Sequence, residues 1–335
     1  MSEIMIHKTR GKVVETMHRG DAVIVDPMGK IIASCGDPHK YTYFRSSAKP
    51  IQALNVVLSG AMQRFGLSTQ ELAVICSSHY SEEMHITTVR SILSKLGLDE
   101  SALRCGVARS IREEIAFAQA EEGIKPARIK SDCSGKHSGM LAVCLMKNYP
   151  LESYLDPMHP AQRENLRAIA EICDYPEDSI SIGVDGCNVP VFALPILNMA
   201  LGYARFADPE SLPEEYRAAA GMIFSAMNEH PEMVAGTGGF CTNLMRVTRG
   251  RLIGKVGAAG VYCIGMREPK LGIALKIDDG APGIAPIAAM HILKSMDILT
   301  EAEYVELRSY HLPPNLNDDK HTIGEIIPVF DLRYS

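Results

Sequence analysis

The chain has 335 residues, of which 46% are hydrophobic and 22% charged, a balance typical of a globular protein rather than a disordered or fibrous one. A formal net charge of −6 provides no basic surface, which argues against a nucleic acid or an anionic membrane as partner. No apolar run is long enough for a signal peptide or a membrane span, so we expect a cytoplasmic protein.

The first predicted elements form a β-hairpin near the start of the chain. Extended segments at 22–25 and 31–34 flank residues 26–29, Asp-Pro-Met-Gly, whose composition is typical of a tight turn. The middle of the chain is mostly helical, with apolar residues at helical spacing in three segments. These three helices are predicted at 81–97, 159–173 and 213–227.

Extended segments return late in the chain, at 244–247, 252–256, 261–265 and 271–277. Strands at both ends with helices between them predict an α+β fold, in which both chain ends build one antiparallel sheet around a helical insert. We expect a single domain over 1–335, with the sheet at about 10–36 and 240–330 and the helical part at about 45–235.

The first candidate for chemistry is the pair Ser46 and Lys49, just before Pro50. Pro50 suits a first helical turn, and residues three apart there share one face, so a hydroxyl and an amine base could lie within reach of each other. An N-capping serine with a solvated lysine explains the same residues. Ser-x-x-Lys is common by chance, so the pair alone leaves both interpretations open.

Two later motifs strengthen the catalytic interpretation. Ser78 ends an apolar segment, where loops that build sites often begin, and Lys255 lies on a late strand in the sequence Lys-Val-Gly. Penicillin-recognising serine enzymes order their motifs in the same way along the chain. We expect burial and neighbouring cations to lower the pKa of Lys49 and Lys255, which would make each a base. A capping serine and an edge-strand lysine are the alternative.

Nine scattered cysteines do not form a disulfide framework, and two of them lie in polar, glycine-rich loops. Cys133 and Cys187 could bind zinc as thiolates, with His137 or a deprotonated Lys136 as third ligand. Two buried thiols without a metal remain the alternative. A phosphate-binding loop at Ser134 to Ser138 is excluded, because the Gly-x-x-x-x-Gly-Lys frame is absent.

Six segments are informative when they are taken together, and they begin at Arg45, Cys76, Ser131, Asp185, His230 and Lys255. In combination they resemble the rhizobial-type L-asparaginases of the asparaginase II family. The resemblance extends from about residue 10 to about residue 330.

The resemblance implies a fold like that of serine β-lactamases and glutaminases, a homodimer, and hydrolysis of L-asparagine to L-aspartate and ammonia. It implies two catalytic pairs, Ser46 with Lys49 and Ser78 with Lys255, and among the serines we favour Ser46 as the nucleophile. Zinc is expected on three residues, and the resemblance prefers Lys136 to His137 as the third ligand. Three further residues are expected to bind substrate. The zinc ligands are Cys133, Lys136 and Cys187, and the substrate-binding residues are Arg45, Asp185 and His137.

Two other functions remain open from the sequence. A penicillin-type hydrolase shares the serine–lysine chemistry but does not need Cys133 and Cys187. A zinc-stabilised binding protein without catalysis would need neither lysine as a base.

Overall fold

The computed structural model describes residues 1–335 as twelve strands and fourteen helices, with short 3₁₀ turns between them. The strands are β1 Glu3–Arg10, β2 Val13–Val25, β3 Ile31–Cys35, β4 Tyr41–Tyr43, β5 Ser181–Val184, β6 Pro190–Pro195, β7 Leu252–Gly257, β8 Val261–Met266, β9 Leu271–Ile277, β10 Pro314–Leu316, β11 Thr322–Pro328 and β12 Arg333–Tyr334. The helices are α1 Lys49–Gln52, α2 Leu54–Leu58, α3 Ala61–Phe65, α4 Thr69–Ile75, α5 Glu83–Lys95, α6 Glu113–Glu121, α7 Ser134–Lys147, α8 Pro160–Ile172, α9 Ile196–Ala207, α10 Glu214–Glu229, α11 Pro231–Val234, α12 Phe240–Val247, α13 Ile284–Ser295 and α14 Glu301–His311.

Both ends of the chain build one antiparallel sheet, which confirms the predicted α+β fold. Its strands follow the order β10-β11-β1-β2-β9-β8-β7, and β3 pairs with β2 and β12. Strand β2 joins the two halves because its first part pairs with β1 and its second part, from Gly20 to Val25, pairs with β9. The last strands of the chain thus lie beside the first ones.

Helices cover the centre of this sheet. Every residue of β9 is buried, which requires packing on both faces, because strand side chains alternate between them. Helix α9 packs on β9, β8 and β2, and α13 contacts β9, β8 and β1. At Gly272 a β-carbon would lie 1.9 Å from the carbonyl oxygen of Ala200, so only glycine allows α9 to approach this closely.

The three long predicted helices are present as α5, α8 and α10, and the hairpin is formed by β2 and β3. The strand predicted at 244–247 is wrong, because these residues end helix α12. Phe240, Leu244 and Met245 are buried at helical spacing, which a short apolar run does not distinguish from a strand.

The predicted helical part also contains strands. Strands β4, β6 and β5 form a small separate antiparallel sheet, and β4 and β5 are only three and four residues long. The helix expected after Pro50 is broken into α1, α2 and α3, with Gly60 in the left-handed region at φ 81°. No helix has both the length and the apolar character needed to cross a membrane.

Candidate active site

A cavity of about 460 Å³ brings together most of the predicted site residues. The two lysines predicted to be catalytic do not line it, because both are buried beneath its surface, Lys49 at 1% exposure and Lys255 at 0%. The predicted residues that line the cavity are Arg45, Ser46, Ser78, Cys133, Asp185 and Cys187.

The hydroxyl of Ser78 lies between the two lysines. Lys255 Nζ is 2.7 Å and Lys49 Nζ is 3.0 Å from Ser78 Oγ. Three elements position the group: Lys49 begins α1, Ser78 follows α4, and Lys255 lies in β7. The backbone N–H of Ser78 donates to the carbonyl of Val234 at 2.9 Å, which holds the serine loop in place.

This geometry differs from the pairing predicted for Ser46 and Lys49. The half-buried hydroxyl of Ser46 lines the cavity and forms no hydrogen bond to either lysine. Lys49 points inward instead, where its ammonium donates to the carbonyl of Ser77 at 2.6 Å and lies 3.4 Å from Asp132 Oδ2. A buried ammonium needs acceptors for its protons, and these groups supply them.

The two lysines differ in their affinity for a proton. Burial, together with the nearby charge of Lys49, lowers the pKa of Lys255 to about 7. Burial also acts to lower the pKa of Lys49, but nearby acidic groups, among them the ionised carboxylate of Asp132, outweigh it and raise the pKa overall. The lowered pKa expected for both lysines is therefore found for Lys255 and not for Lys49. At neutral pH Lys49 is a fixed cation, and Lys255 can accept a proton.

Cys133 and Cys187 line one corner of the cavity, and the buried amine of Lys136 lies beside Cys187. Lys136 Nζ is 3.0 Å from Cys187 Sγ, and the thiol of Cys133 is within hydrogen-bonding reach of Cys187. Contact with the Cys133 thiol and the charge of Lys136 lower the pKa of Cys187, whereas the same contact opposes ionisation of Cys133 and raises its pKa. Cys187 is thus the more readily ionised thiol.

Arg45 and Asp185 form an ion pair across the cavity wall, with 3.0 Å between Nε and Oδ1. Arg45 has φ 52°, in the left-handed region that an arginine rarely adopts, and such strain is common where a side chain is positioned for function. Burial acts to raise the pKa of Asp185, but the charges of Lys136 and Arg45 lower it overall. The carboxylate is therefore ionised at neutral pH.

His137 does not line the cavity, in contrast to its predicted role in substrate binding. Its side chain is fully buried, and Nδ1 lies 2.7 Å from the hydroxyl of Tyr154. Burial lowers the pKa of His137 to about 3, so it is neutral. Because Tyr154 holds it inside the core, we assign it no contact with substrate.

Sequence reasoning missed Asp132 as a site residue. It lines the cavity beside both the lysine cluster and the cysteines, with Oδ2 3.4 Å from Lys49 Nζ and 3.6 Å from Cys133 Sγ. Burial acts to raise the pKa of Asp132, but Lys49 and other nearby cations lower it to about 2. Its position directly before Cys133 in a polar run was the available signal.

One protein family and several solved structures are similar to this chain. The family model described as L-asparaginase II matches residues 6–328. A β-lactamase structure from Mycobacterium bovis is 11% identical, covering 87% of this chain and 95% of that one, with a TM-score of 0.40. A Bacillus glutaminase structure is 13% identical, covering 83% and 91%, with a TM-score of 0.37. Neither likeness is high enough to support an argument, and no curated protein matches.

Proposed function

This chain belongs to the L-asparaginase II family and is an amidohydrolase of the asparagine and glutamine type, and on that premise we propose that it hydrolyses L-asparagine to L-aspartate and ammonia. The observation that carries the proposal is the Ser78 hydroxyl, held 2.7 Å from Lys255 and 3.0 Å from Lys49. A hydroxyl beside an amine of near-neutral pKa is the arrangement needed to move protons during amide cleavage.

Arg45 and Asp185 support recognition of an amino acid. They present a cation and an anion side by side at the cavity wall, 3.0 Å apart. The α-carbon of asparagine carries a carboxylate and an ammonium, which would pair with Arg45 and Asp185 respectively. This anchoring leaves the side-chain amide free to reach the serines.

In the proposed reaction Ser46 attacks the amide carbon. Its hydroxyl is the more accessible of the two, because Ser46 is half-buried whereas Ser78 is 3% exposed between the lysines. The proton of Ser46 would pass through Ser78 to Lys255 and then to the leaving ammonia, while Lys49 stays charged and orients Ser78. The contact from Ser46 to Ser78 forms with substrate bound, since catalytic hydrogen bonds often tighten only in the complex. Water then cleaves the aspartyl ester and frees Ser46.

Zinc is proposed at Cys133, Lys136 and Cys187. The donor chemistry fits: two sulfurs and an amine are buried together, and the pKa of Cys187 is already lowered. The third protein ligand implied by the family resemblance is the amine of Lys136, which lies 3.0 Å from Cys187 Sγ. When bound, zinc would act as a Lewis acid and fix this corner of the cavity. The proton of the Cys133 thiol and one proton of the Lys136 ammonium would be released on binding.

The test is release of ammonia from L-asparagine by the purified protein, measured beside L-glutamine and a chromogenic β-lactam. We expect turnover of asparagine, lost in Ser46→Ala and kept in Ser94→Ala, which changes an exposed serine of α5. Turnover of the β-lactam alone would instead identify a penicillin-type hydrolase. A folded protein that turns over none of the three would contradict the proposal.

A homodimer in the cytoplasm is also proposed, from the family resemblance. All nine cysteines are buried and unpaired, which supports a reducing compartment. Light scattering on the protein as it elutes from a size-exclusion column measures the oligomeric state. A monomer at all concentrations would contradict the proposed dimer.

A further inference from the structure

A second cavity, of about 530 Å³, adjoins the catalytic cavity. The two cavities have Ile111 and residues 256–258 in common. Residues 256 and 257 end β7, the strand that brings Lys255 to Ser78. The second cavity therefore begins at the wall beside the proposed proton relay. None of the residues given a role in asparagine hydrolysis lines it.

The lining of the second cavity is mainly apolar and aromatic. The ring of Phe240 lies 5.2 Å from that of Tyr262 and 5.0 Å from that of Tyr310. The hydroxyl of Tyr310 donates to the carbonyl of Gly238 at 2.8 Å, so the ring offers the cavity an apolar surface. Arg112 is the one charged residue of the lining. Cavities of this size and character suit an organic group larger than any part of asparagine.

We propose that this cavity binds the amine part of N-substituted asparagines, so that the enzyme also hydrolyses β-aspartyl amides whose leaving amine carries an aromatic or large aliphatic group. The inference depends on the proposed function, because it uses the same serine and lysines. An aspartyl group anchored by Arg45 and Asp185 would place its amide at the serines, and a substituent on the amide nitrogen could pass over residues 256–258 into the second cavity.

The chemistry is that of asparagine hydrolysis with a different leaving group. The serine oxygen bonds to the amide carbon, the carbon–nitrogen bond breaks, and the amine leaves with the proton that the serine lost. Water then cleaves the ester to give aspartate and the free serine. Atoms balance without any oxidant or further reactant.

The experiment compares L-asparagine with its β-anilide in the native protein, in two variants that block the second cavity and in one matched control variant. Ser309 is exposed on α14 and lines only the second cavity, so Ser309→Trp places a large ring there. Val305→Trp adds the same ring on the same helix away from both cavities. Ala281→Phe blocks the cavity from the loop between β9 and α13 and serves as a second obstruction if Ser309→Trp does not fold.

We expect the native protein to release aniline, and the blocking variants to raise the KM for the anilide about tenfold while the KM for asparagine changes less than about twofold. Val305→Trp should leave both values unchanged. Asparagine turnover without anilide turnover would overturn the inference alone. Equal effects of a blocking variant on the two substrates would also overturn it. If neither substrate is hydrolysed, the proposed function itself fails.

Discussion

Asparagine hydrolysis should lose activity steeply in acid because Lys255 must be neutral to accept a proton. Its pKa is lowered to about 7 by burial and by the charge of Lys49. Only about 1% of the amines are neutral two pH units below the pKa, so kcat/KM should fall about 100-fold from pH 8 to pH 5. The group works only when deprotonated, so activity rises with pH and levels off above about pH 8.

The assay is the initial rate of ammonia release across this pH range, with circular dichroism at each pH to confirm folding. Loss of zinc in acid could also lower activity, because protons compete with a metal for thiolates. Repeating the profile with added zinc separates the two causes, since the titration of Lys255 should not move.

Lys49→Met provides a second check on the cause. Removing the neighbouring cation should raise the pKa of Lys255 and shift the acid limb of the remaining activity to higher pH. A profile that is flat from pH 5 to pH 8 would refute the assignment of Lys255. A maximum near pH 5 would indicate a carboxylate base instead, with Asp185 the first residue to test.

Three further substitution experiments test the site. Alanine should lower kcat roughly 10²- to 10⁴-fold without unfolding at each of the four proposed catalytic positions, Ser46, Lys49, Ser78 and Lys255. The control Lys12→Ala, which changes an exposed lysine, should leave kcat unchanged. Near-native turnover in any two of the four variants contradicts the catalytic assignment. Elemental analysis should find about one zinc per chain, lost in Cys133→Ser and Cys187→Ser; a metal-free protein whose two thiols titrate freely would make these cysteines structural. Arg45→Gln should raise the KM for asparagine roughly 10-fold or more with a smaller change in kcat, and the opposite split would show that Arg45 does not anchor the substrate.

The sequence predicted the elements whose periodicity is long and regular. Strand β9 at Leu271–Ile277 matches its predicted bounds, and α8 lies within one residue of its prediction at each end. Short elements carried too little pattern. The pattern does not predict β4 and β5, of three and four residues, and it predicts a strand at the end of α12, because four residues with three apolar side chains fit either structure.

Motif order predicts residues that the fold brings close together, but it does not predict which of them pair. Lys49 turns away from Ser46 because its ammonium finds acceptors in Ser77 and Asp132, which come from distant parts of the chain. The lowered pKa of Lys255 depends on burial of its side chain in the folded protein. The position of His137 away from the cavity depends on its contact with Tyr154. Such contacts between distant segments leave no local signal in the sequence.

The central claim, serine–lysine hydrolysis of asparagine, is tested most directly by trapping the acyl-enzyme. The protein is mixed with L-asparagine, quenched in acid within the first turnover, digested and examined by mass spectrometry. We predict that the peptide containing Ser46 gains the mass of one aspartyl group, and that Ser46→Ala abolishes this adduct. An adduct on Ser78 would reverse the roles of the two serines. Ammonia release with no adduct on either serine would contradict covalent serine catalysis.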